Sequence, residues 1–143
     1  MITPINSPDV YVKDTGTKKG RGAFAAKNFK KGDLVEECPV IILLRPIDQL
    51  PPRLKIMVFN WGNLTNSPPS NALSLGFGSM YNHDNPANLR YEASVENESM
   101  RYFAVRDFKK DEELTINYNA GGGSHKSDNN SWFGGRGIKL IHE

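Results

Sequence analysis

Apolar and polar residues alternate along most of this chain, in short runs rather than with the three-to-four spacing of a helix. The stretch "LRYEASV" is strict: Leu89, Tyr91, Ala93 and Val95 fall on one face, and Arg90, Glu92, Ser94 and Glu96 on the other. That period of two predicts a half-buried strand. "ENES" then turns the chain into "MRYFAVR", which predicts a hairpin. Further strands are predicted over "DVYVKDT", "GAFAA" and "ELTINY", and over "DLVEECPVIILL" as one strand or two, with Pro39 as an edge or bulge signal. "LKIMVFNWG" predicts a short helix, and the flanking "RPIDQLPPR" and "NLTNSPPSN" predict loops. From Gly121 the composition changes to "GGGSHKSDNNS", a flexible linker, before "WFGGRGIKLIHE" brings back large apolar groups. The pattern is that of a mostly β single domain with little helix and a tethered tail.

One phrase occurs twice. "FAAKNFKK" at 24–31 and "FAVRDFKK" at 103–110 share five of eight positions. Each copy closes a strand, turns through a basic tip and enters another strand at Leu34 or Leu114. The first Phe and the Ala are expected to pack inside, and the second Phe to pin the turn back onto the sheet. Two similar turns or an internal duplication would both write this pattern. Lys30, Lys31, Lys109 and Lys110 read as solvated tip charges.

Composition narrows the classes. At 143 residues, 38% hydrophobic and 24% charged, the chain reads as one globular domain. A net charge of +2 gives no strong nucleic-acid footprint. No apolar run reaches the roughly 18 residues of a membrane span, and "MITPINSPDV" does not read as a signal peptide. The single cysteine, Cys38, supports neither an internal disulfide nor a cysteine-rich zinc cluster. The expected setting is the cytoplasm or another reducing intracellular compartment, without membrane or direct nucleic-acid contact; a homodimer stays open.

Three motifs occur in order: "KKGRGAFA", then "NHDNPAN" at 82–88, then "FAVRDFKKDEELTINY". Together they resemble the SET domain, the fold of most protein lysine methyltransferases, over roughly residues 9–120. The resemblance implies a β-clip type fold of several small sheets with a knot-like C-terminal segment. It divides the chain into a SET domain at 1–120 and a glycine-rich linker with a C-terminal lid segment at 121–143. Asp84 and Asn85 replace the family's Ser-Cys, Pro86 sits one place early, Asp111 replaces a glycine, and Asn117 replaces an acid. The zinc cluster that follows many SET domains is missing from the sequence, so the lid is expected to be built without metal.

The resemblance implies S-adenosylmethionine as cofactor and a target lysine on a protein as substrate. Lys19, Gly20, Arg21 and Gly22 would hold the cofactor with backbone that approaches closely, although the two glycines could equally serve a turn. Asn82 and His83 resemble the pair that binds its amino-acid portion and, through backbone, its adenine. The His83 side chain itself reads as structural. Tyr118 resembles the catalytic tyrosine beside the methyl group; a phenol of pKa about 10 stays neutral there, and its oxygen can accept weak C–H···O contacts. Tyr91, Ile116 and Tyr118 would line the lysine channel, with core packing an equal alternative for Tyr91. Trp132 and Phe133 would complete the cofactor pocket as a lid; a tail docked on another apolar patch, or an unstructured end, is the plainer alternative. Two rival classes remain at this point. One is a SET-like cofactor- or protein-binding module without catalysis. The other is an unrelated small β protein, such as a metal-dependent hydrolase using His83 and Asp84.

Overall fold

The computed structural model describes residues 3–119 and 126–127. Among these, the strands are β1 (Val10–Asp14), β2 (Arg21–Ala25), β3 (Leu34–Leu43), β4 (Val58–Asn60), β5 (Asn71–Ser74), β6 (Asn82–His83), β7 (Leu89–Ser94), β8 (Ser99–Ala104) and β9 (Glu113–Ile116). They form a four-stranded sheet in the order β1-β2-β9-β6 and a five-stranded sheet in the order β4-β5-β3-β8-β7. Helix is confined to α1 (Pro52–Lys55), α2 (Trp61–Thr65) and two 3-10 turns, Ile47–Gln49 and Gly78–Met80. Among the described residues, no helix is long and apolar enough to cross a membrane.

The alternating stretch forms the hairpin expected of it: Tyr91 lies opposite Tyr102, and Ser94 opposite Ser99. Leu89, Tyr91, Met100, Tyr102 and Ala104 are buried in the core, while Val95 falls in the turn and is exposed. "DLVEECPVIILL" is one strand, not two. Its first part pairs with β8 as far as Pro39 opposite Ser99, and its last part, Val40–Leu43, pairs with β5. Pro39 sits where the strand passes from one partner to the other, a place where a missing N–H costs no ladder bond.

The region expected as one helix is broken up. Over "LKIMVFNWG" the structure has the end of α1, then β4, then the start of α2. An apolar run of that length fits a short strand as well as a helix, and pairing of Val58 with Leu73 selects the strand. Asn60 then caps α2, its side chain accepting from the Asn63 N–H at 3.1 Å. Asn66 ends the helix in the left-handed region, at φ 52°. The flanking loops are correspondingly shorter, and one holds the 3-10 turn at Ile47–Gln49.

The repeated phrase proves to be a clasp. Phe29 and Phe108 exchange both main-chain hydrogen bonds, at 2.9 and 3.0 Å, and their rings pack with centroids 5.3 Å apart. The Gly32 N–H donates to the Ala104 carbonyl at 2.8 Å, and at the equivalent place Asp111 donates to Ala25 at 2.7 Å. Side chains cross over in the same way: Asp107 accepts from the Lys31 N–H (2.8 Å) and Asn28 from the Lys110 N–H (2.9 Å). The two turns are therefore related by a local two-fold axis, each being the other's partner. This gives the likeness of the copies a physical reason, since a self-complementary contact makes the same demand of both. It also brings β2 against β9 and β3 against β8, which joins the two sheets.

Candidate active site

Lys19–Gly22 spans the end of the β1–β2 turn and the first two residues of β2. The loop is held by the Thr15 N–H on the Gly20 carbonyl at 2.8 Å, and Gly20 takes φ 73°, where a side chain would be strained. Gly22 has a different reason to be glycine. A Cβ there would sit 2.5 Å from Glu113 Oε2 and 2.9 Å from Asn82 Nδ2. The space is needed because Asn82 Nδ2 donates both to Glu113 Oε2 (2.8 Å) and to the Arg21 carbonyl (3.0 Å). The first and second motifs are thus joined directly by side-chain hydrogen bonds. Lys19 adds a further link, its ammonium donating to the His83 carbonyl at 2.9 Å.

The third motif meets the second by parallel pairing. Asn82 lies opposite Thr115 and His83 opposite Ile116. Asn88 laces the loop to β9: its Nδ2 donates to the Glu113 carbonyl and its Oδ1 accepts the Thr115 N–H, each at 2.8 Å. Sequence reasoning did not single out Asn88; its bonds to both a carbonyl and an N–H of one strand fix the loop. His83 Nδ1 accepts the Tyr118 N–H at 3.1 Å, and the two rings lie 5.3 Å apart. The imidazole thus contacts the chain just past the end of β9.

Tyr118 is half-buried, and its hydroxyl donates to the Tyr81 carbonyl at 2.6 Å. Burial first, then the nearby Glu113 and Tyr91, push its phenol well above the ordinary range. It therefore stays neutral. Donating its proton to Tyr81 fixes the hydroxyl rotor and leaves the oxygen lone pairs to point elsewhere. Tyr91 and Ile116 are both buried. Tyr91 packs edge-on to Phe59 at 5.0 Å and 6.0 Å from Tyr102, so it belongs to an aromatic wall as well as to the neighbourhood of Tyr118.

Behind Tyr118 lies a polar layer that sequence reasoning missed. Glu36 is 3% exposed. It accepts the Tyr81 hydroxyl at 2.6 Å and the Phe77 N–H at 3.0 Å. Burial raises its pKa above the usual carboxylate range, and those hydrogen bonds with the Cys38 thiol only partly offset this. Gly76, at φ 60°, would put a Cβ 2.6 Å from Glu36 Oε2. The available signal was an acid two residues from Cys38, on the same strand face, just before the apolar run at 40–44.

A cavity of about 420 Å³ lies between the 84–88 loop, Val105–Arg106 and the Glu113–Thr115 side of β9. It shares Glu113 with the Asn82 contact but includes neither Tyr118 nor residues 19–22, so it adjoins the site rather than forming it. Trp132 and Phe133 lie outside the described residues. Of the tail, Ser127 is described. Asn85 donates from Nδ2 to its carbonyl at 2.7 Å and accepts its N–H at 3.2 Å, and Asn117 donates to its hydroxyl at 3.0 Å. Two of the departures from the family pattern, at 85 and 117, thus both bond to Ser127.

Known proteins resemble this chain in sequence and in fold. The SET domain family matches residues 20–119. A fission yeast (Schizosaccharomyces pombe) histone-lysine N-methyltransferase, specific for lysine 37 of H3, is 30% identical over 118 residues, covering 82% of this chain and 78% of the relative. The crystal structure of a Plasmodium falciparum protein described as a histone methyltransferase superposes with TM-score 0.62 and 25% identity, over 80% of this chain and 95% of that one. The Cryptosporidium protein CpSET8 shares the fold at TM-score 0.57 and 18% identity, over 81% of this chain and 60% of that one. The chain belongs to the SET-domain family, and with it to the class of protein-lysine methyltransferases. The reading as an unrelated metal-dependent hydrolase falls with that assignment.

Proposed function

We propose that this chain transfers methyl groups from S-adenosylmethionine to a lysine side chain at Tyr118. The observation that carries the proposal is the meeting of all three motifs at one place: Tyr118 bonded to His83 and Tyr81, and Asn82 bonded to Arg21 and Glu113. The donor set fits the cofactor. Tyr118 and Tyr81 oxygens lie 2.6 Å apart, offering adjacent acceptors for polarised C–H groups, and the Glu113 carboxylate suits an ammonium group. When bound, the cofactor would supply an electrophilic methyl on a sulfonium for transfer to the lysine nitrogen.

The chain's own residues do the rest. Lys19, Gly20, Arg21, Gly22, Asn82 and His83 would hold the cofactor. A free lysine amine has a pKa of about 10.4 and is mostly protonated; the apolar wall of Tyr91 and Ile116 disfavours the ammonium by desolvation. Tyr118, neutral and with a fixed rotor, orients rather than deprotonates. Alignment of amine and methyl then supplies on the order of several kcal/mol of the barrier reduction. A histone H3 lysine is the substrate to test first, following the fission yeast relative. Calorimetry of the full chain with S-adenosylmethionine tests the reading. Binding should occur, and Asn82→Ala should weaken it by about 1–3 kcal/mol through loss of a hydrogen bond to a charged group. Unchanged affinity in a folded Asn82→Ala protein overturns the assignment. Binding without methyl transfer to any lysine substrate would favour the non-catalytic module instead.

A further inference from the structure

Tyr81 is held at both ends. Its carbonyl accepts the Tyr118 hydroxyl at 2.6 Å, and its own hydroxyl donates to Glu36 at 2.6 Å. It also stands immediately before Asn82, so its placement sets where β6 begins. The side chain is 1% exposed and Glu36 3%, and the Tyr81 ring packs 4.8 Å from Tyr102. A second bond from Glu36, to the Phe77 N–H, secures the start of the 3-10 turn that leads into Tyr81. A buried carboxylate is costly unless its partners repay it, and here every partner of Glu36 belongs to, or packs against, the segment leading to the site.

We propose that Glu36 is a positioning residue for methyl transfer: it clamps Tyr81 and, through the Tyr81 carbonyl, fixes the hydroxyl of Tyr118. The catalytic half of this proposal rests on the reading of Tyr118 given above; the structural half does not. Freed from Glu36, Tyr81 can shift, and a shift of its carbonyl lets the Tyr118 hydroxyl rotate away from its aligned position. Small errors of alignment at a reacting centre have large effects on rate.

The test uses the full chain with Glu36→Gln, Tyr81→Phe and the double variant. Gln keeps the shape but cannot accept from both Tyr81 and Phe77 on equal terms, since one of its two terminal atoms is a donor. Tyr81→Phe removes the hydroxyl and leaves the carbonyl. Each single change should lower kcat about tenfold, with KM and cofactor affinity changed less than about twofold. The double variant should fall no further than the worse single one. In parallel, carbon-13 NMR of tyrosines labelled at Cζ follows Tyr118 in the cofactor-free protein, assigned with Tyr118→Phe. Its resonance should shift in both single variants, while that of Tyr11 should not. Losses of kcat that merely track cofactor affinity or melting temperature, additive effects in the double variant, or an unmoved Tyr118 resonance would each overturn the proposal. If the wild type transfers no methyl but the Tyr118 resonance responds to Glu36→Gln, the clamp stands and the catalytic reading of Tyr118 is the part that fails.

Discussion

Glu36 and Glu37 are neighbours on one strand and face opposite ways. Glu37 lies under the β7–β8 hairpin, where its Oε2 accepts from Ser99 (2.5 Å), Asn97 (2.6 Å) and Arg101 (3.1 Å). Burial alone would raise its pKa, but the hydrogen bonds of Ser99, Asn97 and Arg101, with the Arg101 charge, hold it below the ordinary value. Glu36 faces the core, where its donors among the described residues are neutral, and burial wins. The fold therefore gains from the charge on Glu37 and loses from the charge on Glu36. Glu36 bonds to Tyr81 and to the turn that leads into it, which places it to serve the site, whereas Glu37 is wrapped by its own hairpin and is explained by stability alone.

Removing each carboxylate should separate these roles. Glu37→Ala leaves Ser99 and Asn97 without an acceptor and Arg101 without its partner, and should cost about 3 kcal/mol in denaturant unfolding. Methyl transfer per folded molecule should stay within about twofold. Glu36→Gln should move stability by less than about 1 kcal/mol, because the lost hydrogen bonds are offset by the removed charge; a cost as large as that of Glu37→Ala would erase the contrast.

Acid separates the same pair by sign. The folded pKa of Glu37 lies below its unfolded value of about 4.3, so its contribution is present above that value and is lost as pH falls through the folded one. The folded pKa of Glu36 lies above the unfolded value. Its stabilising contribution is therefore full below about pH 4.3 and is lost as pH rises through the folded pKa. The stability gap between wild type and Glu37→Gln should narrow below pH 4. The balance between wild type and Glu36→Gln should move toward the variant as pH rises from 4 to 7. Unfolding curves across this range check both signs.

Much of this was legible beforehand, and the exceptions have physical causes. Period-two alternation marked β7 and β8 because one face of that hairpin is buried and the other wet. The three motifs marked the site because its residues come from short, spaced stretches. The clasp was visible as a likeness between 24–31 and 103–110, but not as a pairing, since register between distant segments is not written in either one. "LKIMVFNWG" misled because tertiary pairing with β5 decided its middle. Glu36 escaped notice because an acid in a strand reads as outward-facing, and its partners Phe77 and Tyr81 lie some forty residues away. Asn85 and Asn117 read as departures from a pattern; their common partner, Ser127, became visible only in the structure.

The smallest expected effect lies in the clasp, outside both carboxylate networks, and calibrates them. Asp111 occupies the left-handed region at φ 74°, where its counterpart in the other copy is Gly32 at φ 91°. Asp111→Gly should relieve that strain but lose the exposed contact with the Tyr11 hydroxyl, 2.7 Å from Asp111 Oδ1. The net gain should be about 0.5 kcal/mol, read as a small rise in melting temperature with unchanged methyl transfer.

The central claim is that Tyr118 acts through an oriented, neutral hydroxyl in a site assembled by the three motifs. Single-turnover methyl transfer to a histone H3 substrate by Tyr118→Phe, measured beside cofactor calorimetry on the same protein, tests it most directly. The account predicts cofactor affinity within about twofold of wild type and a transfer rate lower by about a hundredfold or more. A Tyr118→Phe protein that binds the cofactor and transfers methyl at the wild-type rate would contradict it.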